Sequence, residues 1–400
     1  MQISSPKLLL TINGGSSSIK FAGFQLATDL QQVFHGGIER IGLPGTKISF
    51  QLSLDSLAGS EPLEAGDHAS AVEGLLKWLQ TRLDFSQIGA VGHRVVHGMS
   101  HQEPELVTES LLVELRGIQP IDPEHLPRQI ELIDAFWKRL PGIPHFACFD
   151  TSFHHDLPRV ARLLPIPRRF EALGIRRYGF HGLSYAFLMM ELARLEGNPC
   201  AHGRVILLHL GSGCSLAAVL EGRSIDTTMG FTPTSGIPMG TRTGDLDPGI
   251  AAYLARTQQL STEQFYRLAN HESGMLGISE TSPDVRDLLA AEAGDVRARE
   301  ALDYFCYQTR KWIGSFAAAL GGLDTLVFSA GIGENCAPVR ERICAGLQFL
   351  GLEIEPARNQ TNDPIISKVN SRITVRVIRT DEERMMAILV SKELAKKTQT

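Results

Sequence analysis

Long apolar runs are missing from this 400-residue chain. No stretch approaches the ~20 residues that a membrane-spanning helix needs, and residues 1–10 lack the apolar core of a signal peptide, so a cytoplasmic protein without membrane partners is expected. Cysteine is sparse as well. The six, Cys148, Cys200, Cys214, Cys306, Cys336 and Cys344, form no C-x-x-C pair, which argues against a disulfide framework or a zinc ribbon and predicts buried free thiols. No basic tail or stripe is present and the formal net charge is -5 at pH 7, so nucleic acid is not an expected partner. A G-x-x-x-x-G-K-[ST] segment is absent too. Gly331-Ile332-Gly333 lacks the third glycine of the dinucleotide fingerprint because Cys336 stands there, which excludes both a P-loop and a Rossmann enzyme.

What is present is an ordinary globular composition, 43% hydrophobic and 21% charged, in a chain long enough for about two domains that each bury a core. The chain is organised around KLLLTINGGSSSIKFAGF, residues 7–24. Apolar runs at 8–12 and 19–24 predict two strands joined by a turn of glycines and serines. Glycine permits close backbone approach, the hydroxyls and exposed N–H groups offer donors, and Lys20 adds positive charge. The tip therefore reads as a phosphate cradle, with an ordinary hairpin turn as the alternative. Periodicity then predicts a strand over 46–52, a helix over 67–83, a strand over 88–96, a helix over 124–140 and a strand over 144–149. Asp150 follows that last strand, at the end where open α/β sheets gather ligand groups. Residues 204–220 repeat the strand, Gly/Ser turn, strand pattern. Helices near 184–195, 297–320 and 337–347, strands at 325–329 and 373–378, and a final helix from about Asp381 complete the second half. This self-similarity predicts a duplicated domain with a hinge near residues 150–153.

Three constellations could carry chemistry. Gly-rich turns follow strands at 14–18, 211–215 and 331–335, and three together point to a nucleotide whose phosphates lie against two facing turns, with the third beneath the nucleoside. Arginines beside glycine or small residues occur in HRVVH (93–97), RRYGFHG (176–182) and MGTRTGD (239–245). Such placement presents a guanidinium fork to a carboxylate or phosphate, a structural salt bridge being the alternative for any single arginine. His93 and His97 have the spacing of a zinc helix without its glutamate, which disfavours zinc. Asp150 and the Glu382-Glu383 pair are carboxylates suited to a magnesium nucleotide, although an acidic residue in a first helical turn also serves the helix dipole.

Read in order, NGGSSSIKF, GHRVVHG, CFDTSFH, RRYGFHG, LLHLGSG, MGFTP, MGTRTGDLDPG, SGMLGIS and FSAGIGEN resemble the acetate kinase family over nearly the whole length. The resemblance implies an α/β fold of duplicated ribonuclease H-like domains, the superfold of acetate and sugar kinases, Hsp70 and actin, with a central interdomain cleft. Residues 1–151 would form the first domain and 152–385 the second, nucleotide-binding one, with the final helix, about 386–400, packed on the first. The resemblance also implies a homodimer and the reversible phosphorylation of acetate to acetyl phosphate by in-line transfer from ATP, dependent on Mg2+ with Mn2+ as a substitute.

Carried over by position, Asn13 and Glu382 match the family's metal residues, and Ser16, Ser18 and Lys20 its phosphate loop. Arg94 and Arg242 match the substrate-site arginines. Asp150 matches the catalytic acid, His181 the transition-state histidine and His125 a further active-site histidine, while Val96, Phe180 and Pro233 line the acyl pocket. His209, Leu210, Gly211, Ser212 and Gly213 match the nucleotide loop. Asp284, Val285 and Arg286, with Gly331, Ile332, Gly333, Glu334 and Asn335, match the adenosine site. Three departures bear on the acceptor: Ser212 replaces an asparagine, Glu124 replaces an apolar residue in PEHLP (123–127), and TSGIP (234–238) replaces the usual LEGLA. Propionate or butyrate is therefore the alternative acceptor, and an ATP-driven switch of the actin or Hsp70 kind is the alternative from another class.

Overall fold

The hairpin expected at residues 7–24 is present in the computed structural model: β1 (Leu8–Gly14) and β2 (Ser18–Gln25) pair antiparallel, with Asn13 opposite Lys20. The structure describes residues 7–15, 18–27, 29–52, 57–197 and 201–398, so Ser16 and Cys200 lie outside the described residues. The chain divides into two units, Met1–Ser152 with Asp381–Thr400, and Phe153–Thr380.

In the first unit the meander runs on through β3 (Gln32–Glu39), β4 (Lys47–Leu52) and β5 (Leu57–Pro62), all antiparallel. Five strands thus precede the first helix, where the sequence pattern predicted three. On the other side of β1, β6 (Ile88–Val95) pairs in parallel, followed by the short β7 (Glu105–Leu106) and by β8 (His145–Phe149), which lies parallel to β6. The order is β5-β4-β3-β2-β1-β6-β8-β7. Helix His68–Gln80 starts at Asp67, whose side chain accepts from the Ser70 N–H, and buries Ala71, Val72, Leu75, Leu76 and Leu79 against Phe21, Phe34 and Ile48. Helix Leu126–Arg139 shares its apolar faces with two clusters, Leu132 and Phe136 joining one, Ile130 and Ile133 the other. Helix Glu382–Thr398 packs on β1, β2, β6 and β8.

In the second unit β9 (Arg204–Leu210) and β10 (Cys214–Leu220) form an antiparallel hairpin, extended by β11 (Arg223–Thr227). β12 (Thr325–Ser329) and β13 (Thr374–Val377) continue in parallel from β9. The order β11-β10-β9-β12-β13 repeats β3-β2-β1-β6-β8 in both sequence and strand direction. Helix Gly182–Glu196 lays Tyr185, Leu188 and Leu192 on Val205, Leu207, Ala217 and Val219. Helix Val296–Leu320 packs against β9 and β10. Cys148, Cys214, Cys306 and Cys344 are buried free thiols and Cys336 is half-buried. Among the described residues no helix is long and apolar enough to cross a membrane.

Candidate active site

In the first unit the parallel strands β1, β6 and β8 end side by side, which brings residues far apart in sequence to one edge. The Asp150 N–H donates to the Val95 carbonyl at 3.0 Å, fixing the chain as it leaves β8. Arg94 donates from Nε and Nη2 to Asp150 Oδ2 at 3.0 and 2.5 Å, and from Nη1 to Asn13 Oδ1 at 3.1 Å. The Asn13 amide nitrogen in turn donates to Glu382 Oε2 at 2.9 Å and to Glu383 Oε1 at 3.0 Å. Asn13, Arg94, Asp150, Glu382 and Glu383 are therefore one hydrogen-bonded network. Each terminal nitrogen of Arg94 retains an N–H beyond these bonds.

Burial governs the electrostatics here. It raises the Asp150 carboxyl above its ordinary range against the pull of Arg94, and it raises Glu383 against that of Lys20. Burial weakens the Arg94 guanidinium, but Asp150 and Glu382 outweigh that and hold it protonated. Asp150 Oδ1 is buried without a hydrogen-bond partner among the described residues. Two cations, Lys20 and Arg94, thus face three carboxylates.

That balance is the test for a divalent cation. The donors are all hard oxygens, the local charge is negative, and Mg2+ takes one or two carboxylates and keeps much of its water, so Glu382 with Asn13 fits it. No set of three or more His, Cys, Asp or Glu converges for a metal among the described residues. His93 and His97 do not converge: His93 Nε2 lies 2.9 Å from His145 Nδ1, while His97 Nδ1 accepts from the Met99 N–H at 3.2 Å.

Around this network His125 Nδ1 lies 2.9 Å from the buried Asp122. Gln129, which the sequence pattern did not single out, accepts from the Val96 N–H at 2.9 Å and donates to the Gly14 carbonyl at 3.2 Å. It ties the acyl-pocket candidate Val96 to the end of β1. Ser18 closes the hairpin through its carbonyl, which accepts from the Gly15 N–H at 2.8 Å.

The second unit gathers a different set. The turn from Leu210 through Gly211, Ser212 and Gly213 joins β9 to β10, with Ser212 exposed at its tip and the Gly211 N–H bonded to the Gly213 carbonyl at 3.1 Å. His181 precedes helix Gly182–Glu196 with φ of 59°, a left-handed conformation disfavoured for a side-chain-bearing residue. Its ring stacks on His209 with centroids 4.0 Å apart. Its Nδ1 lies 2.8 Å from Ser215 Oγ, and His209 Nδ1 lies 2.8 Å from Ser184 Oγ. A Cβ added to Gly213 would sit 3.2 Å from His181 Nε2 and 3.7 Å from Arg242 Nη1. Only a glycine leaves that shared point open to a ligand oxygen. Arg242 Nη1 also donates to the Pro233 carbonyl at 3.1 Å, and the carbonyl of buried Phe180 accepts from His154 Nε2 at 3.1 Å.

The remaining candidates flank this set. Asp284 caps helix Val285–Ala291, accepts from the Arg286 N–H at 2.9 Å, and pairs with the exposed Arg286 guanidinium, while Val285 is buried. Residues Gly331, Ile332, Gly333, Glu334 and Asn335 belong to a short helix, Ala330–Asn335, and not to the Gly-rich turn that the sequence suggested. The cause is Glu334, whose Oε1 accepts from the Ala330 N–H at 2.8 Å and the Thr380 N–H at 3.0 Å. It supplies the end of the helix with an acceptor, and the left-handed residue there is Ala330 at φ of 64°, so neither glycine provides the turn. Gly211 still lies against this helix, since a Cβ on it would meet Ala330 Cβ at 3.5 Å. Among the neighbouring arginines, Arg177 is structural, donating to the Ala161 and Thr227 carbonyls.

The acetokinase family model matches residues 8–388. An acetate kinase of Rhodopseudomonas palustris is 40% identical over 389 residues, covering 95% of this chain and 96% of the relative. A propionate kinase of Citrobacter rodentium is 42% identical over 385 residues, covering 95% of each. The solved structure of a propionate kinase from Francisella tularensis superposes with a TM-score of 0.88 at 34% identity, covering 96% of this chain and 98% of that one.

Proposed function

The chain belongs to the acetokinase family, and from that premise we propose that it transfers the γ-phosphoryl group of ATP reversibly to acetate, forming acetyl phosphate. Its repeated sheet order is that of the duplicated ribonuclease H-like domains of the acetate and sugar kinase, Hsp70 and actin superfold. The observation that carries the reading is the approach of two side-chain nitrogens, His181 Nε2 and Arg242 Nη1, to one point over Gly213.

Acetate is ionised near pH 7, so no strong base is needed to make the nucleophile. The barrier is repulsion between two anions. Arg94, oriented by Asp150, binds and turns the carboxylate, and Asp150 acts through that arginine rather than as an obligate base. Arg242 and His181 stabilise charge on the equatorial oxygens of the transferring phosphoryl group. The backbone N–H groups of the Gly211 to Gly213 turn and the first hairpin, with Lys20, serve the nucleotide phosphates, and the segments at 284–286 and 331–335 serve the nucleoside. Glu382 with Asn13 would hold Mg2+, which when bound neutralises phosphate charge. Val96, Phe180 and Pro233 set acyl length.

Propionate is a second acceptor reading because a propionate kinase matches this chain as well as an acetate kinase does. One methylene is worth only about 1–3 kcal/mol of discrimination. A homodimer is supported by helix Pro248–Gln258, which buries no residue, and by exposed Tyr253, Tyr304 and Tyr307. A cytoplasmic location accords with ATP as substrate and with the free thiols. Hydroxylamine trapping with ATP and acetate, propionate or butyrate tests the reading. Acetyl hydroxamate with the highest kcat/KM is expected, a preference for propionate selects the second acceptor, and no hydroxamate from any acid overturns acyl transfer.

A further inference from the structure

Behind His181 stands a chain of hydroxyls with no role in the reaction as described so far. Ser215, on β10, lies 2.8 Å from His181 Nδ1, and the Tyr185 hydroxyl lies 2.5 Å from Ser215 Oγ. Both Ser215 and Tyr185 are 0% exposed. A tyrosine hydroxyl has one hydrogen; the backbone N–H of His209 also bonds this hydroxyl but can only donate to it, so the partner able to accept the phenol hydrogen is Ser215. Burial holds the phenol in its protonated form. A buried O–H that failed to donate would be an unsatisfied polar group, so Tyr185 donates to Ser215. With its oxygen accepting from Tyr185, Ser215 has one remaining partner for its own hydrogen, and that partner is His181 Nδ1.

We infer that Tyr185 and Ser215 are positioning residues that hold neutral His181 in the tautomer bearing its hydrogen on Nε2. The hydrogen then sits on the nitrogen beside the open face of Gly213 and Arg242, as a donor to a phosphoryl oxygen. The opposite order, with His181 Nδ1–H donating to Ser215 and Ser215 to Tyr185, would strand the phenol hydrogen in the core and present a lone pair to an anion. Stacking on His209 within 19° of parallel fixes the ring plane, so the ring has no ready way to exchange its nitrogens by flipping. The inference rests on the phosphoryl-transfer reading only for its consequence, because the hydrogen position is a property of the second unit's own side chains.

Histidine-selective 15N NMR of the full-length protein, with the His181 signals identified by their loss in His181→Gln, reads the tautomer directly. A protonated Nε2 and an unprotonated Nδ1 are expected, and a hydrogen on Nδ1 overturns the inference. In Ser215→Ala the tautomers should mix and kcat should fall roughly ten- to hundredfold with the KM for ATP unchanged, as when other orienting partners are removed. Ser215→Thr, which keeps the hydroxyl, should restore both. An unaltered tautomer in Ser215→Ala, or a kcat loss that threonine does not repair, also overturns it. Should Ser215→Ala fail to fold, the parent spectrum still decides. Failure of the acyl-kinase reading shows up separately, as absence of hydroxamate with the Nε2 tautomer intact.

Discussion

Arg94 and Asp150 illustrate how one contact serves both stability and chemistry. Asp150 is wholly buried, and its Oδ2 accepts both of its hydrogen bonds from Arg94. Removing one partner of a buried ion pair costs about 3–5 kcal/mol, because the other charge is left without compensation. Arg94→Ala should therefore lose stability as well as acyl phosphate formation. Its Asp150 would then have a folded-state pKa raised further by burial, so the stability deficit relative to the parent should shrink as pH falls and grow as it rises. Arg94→Ala/Asp150→Asn should recover much of the stability and none of the activity. Urea midpoints at pH 5.5 and 8 together with hydroxamate yields check this, and a double variant no more stable than Arg94→Ala would show that the pair is not the source of the loss. Arg242→Ala should show its loss in transfer, roughly a hundred- to thousandfold in hydroxamate formation.

At the scale of elements, the sequence disclosed what repeats and hid what depends on contacts made elsewhere. The helix His68–Gln80 was legible because its apolar residues recur at helical spacing and Asp67 stands at its head. Its capping box is complete, with Ser70 returning the bond to the Asp67 N–H at 3.1 Å. Asp67→Ala should lower the unfolding free energy by about 1 kcal/mol without changing hydroxamate formation. An unchanged urea midpoint would mean that packing of Leu75 and Leu79 alone sets this helix. Strands β3 and β5 were not legible. β3 contains His35, Gly36 and Gly37, and β5, at the sheet edge, reads LAGSEP with no buried residue, so neither carries an apolar alternation. The helix Ala330–Asn335 was hidden because glycines suggest a turn, while the group that ends it, Glu334, acts through Thr380 far along the chain.

The site divides in the same way. Arg94 and Asp150 could be named from strand ends, and Asn13 from its family position. The bond from Asn13 to Glu382 spans 369 residues of sequence, beyond the reach of any local pattern. Gln129 and Tyr185 lie within helices, where a single polar residue carries no signal until its partner is known, while Ser215 was read as the end of the Gly/Ser turn over 211–215 and instead belongs to β10.

At the scale of the molecule, each unit encloses imidazoles that must stay neutral. In the first, burial lowers His145 to about 4, and it lowers the adjacent His93 well below its ordinary range. In the second, burial lowers His154 to about 4, although the Phe180 carbonyl opposes the shift. The ordinary value is near 6.5, so the unfolded chain binds these protons first. Stability from these groups is complete above pH 6.5 and is lost as pH falls toward 4, about 2 kcal/mol by pH 5 for a histidine held near 4, such as His154. Asp150 and Glu383 in the first unit and Asp226 in the second run the other way, since burial raises their folded pKa values and their stabilisation is lost as pH rises; they offset part of the acid loss. His154 lies between Ser224 Oγ at 2.8 Å and the Phe180 carbonyl at 3.1 Å, an acceptor and a donor role that an uncharged amide can reproduce. His154→Gln should cost stability at pH 7.5 yet flatten the dependence on pH. Calorimetric scans at pH 7.5 and 5 should show a smaller drop in Tm for the variant than for the parent. An equal drop in both would remove His154 from the acid response and shift it to the His93 and His145 pair.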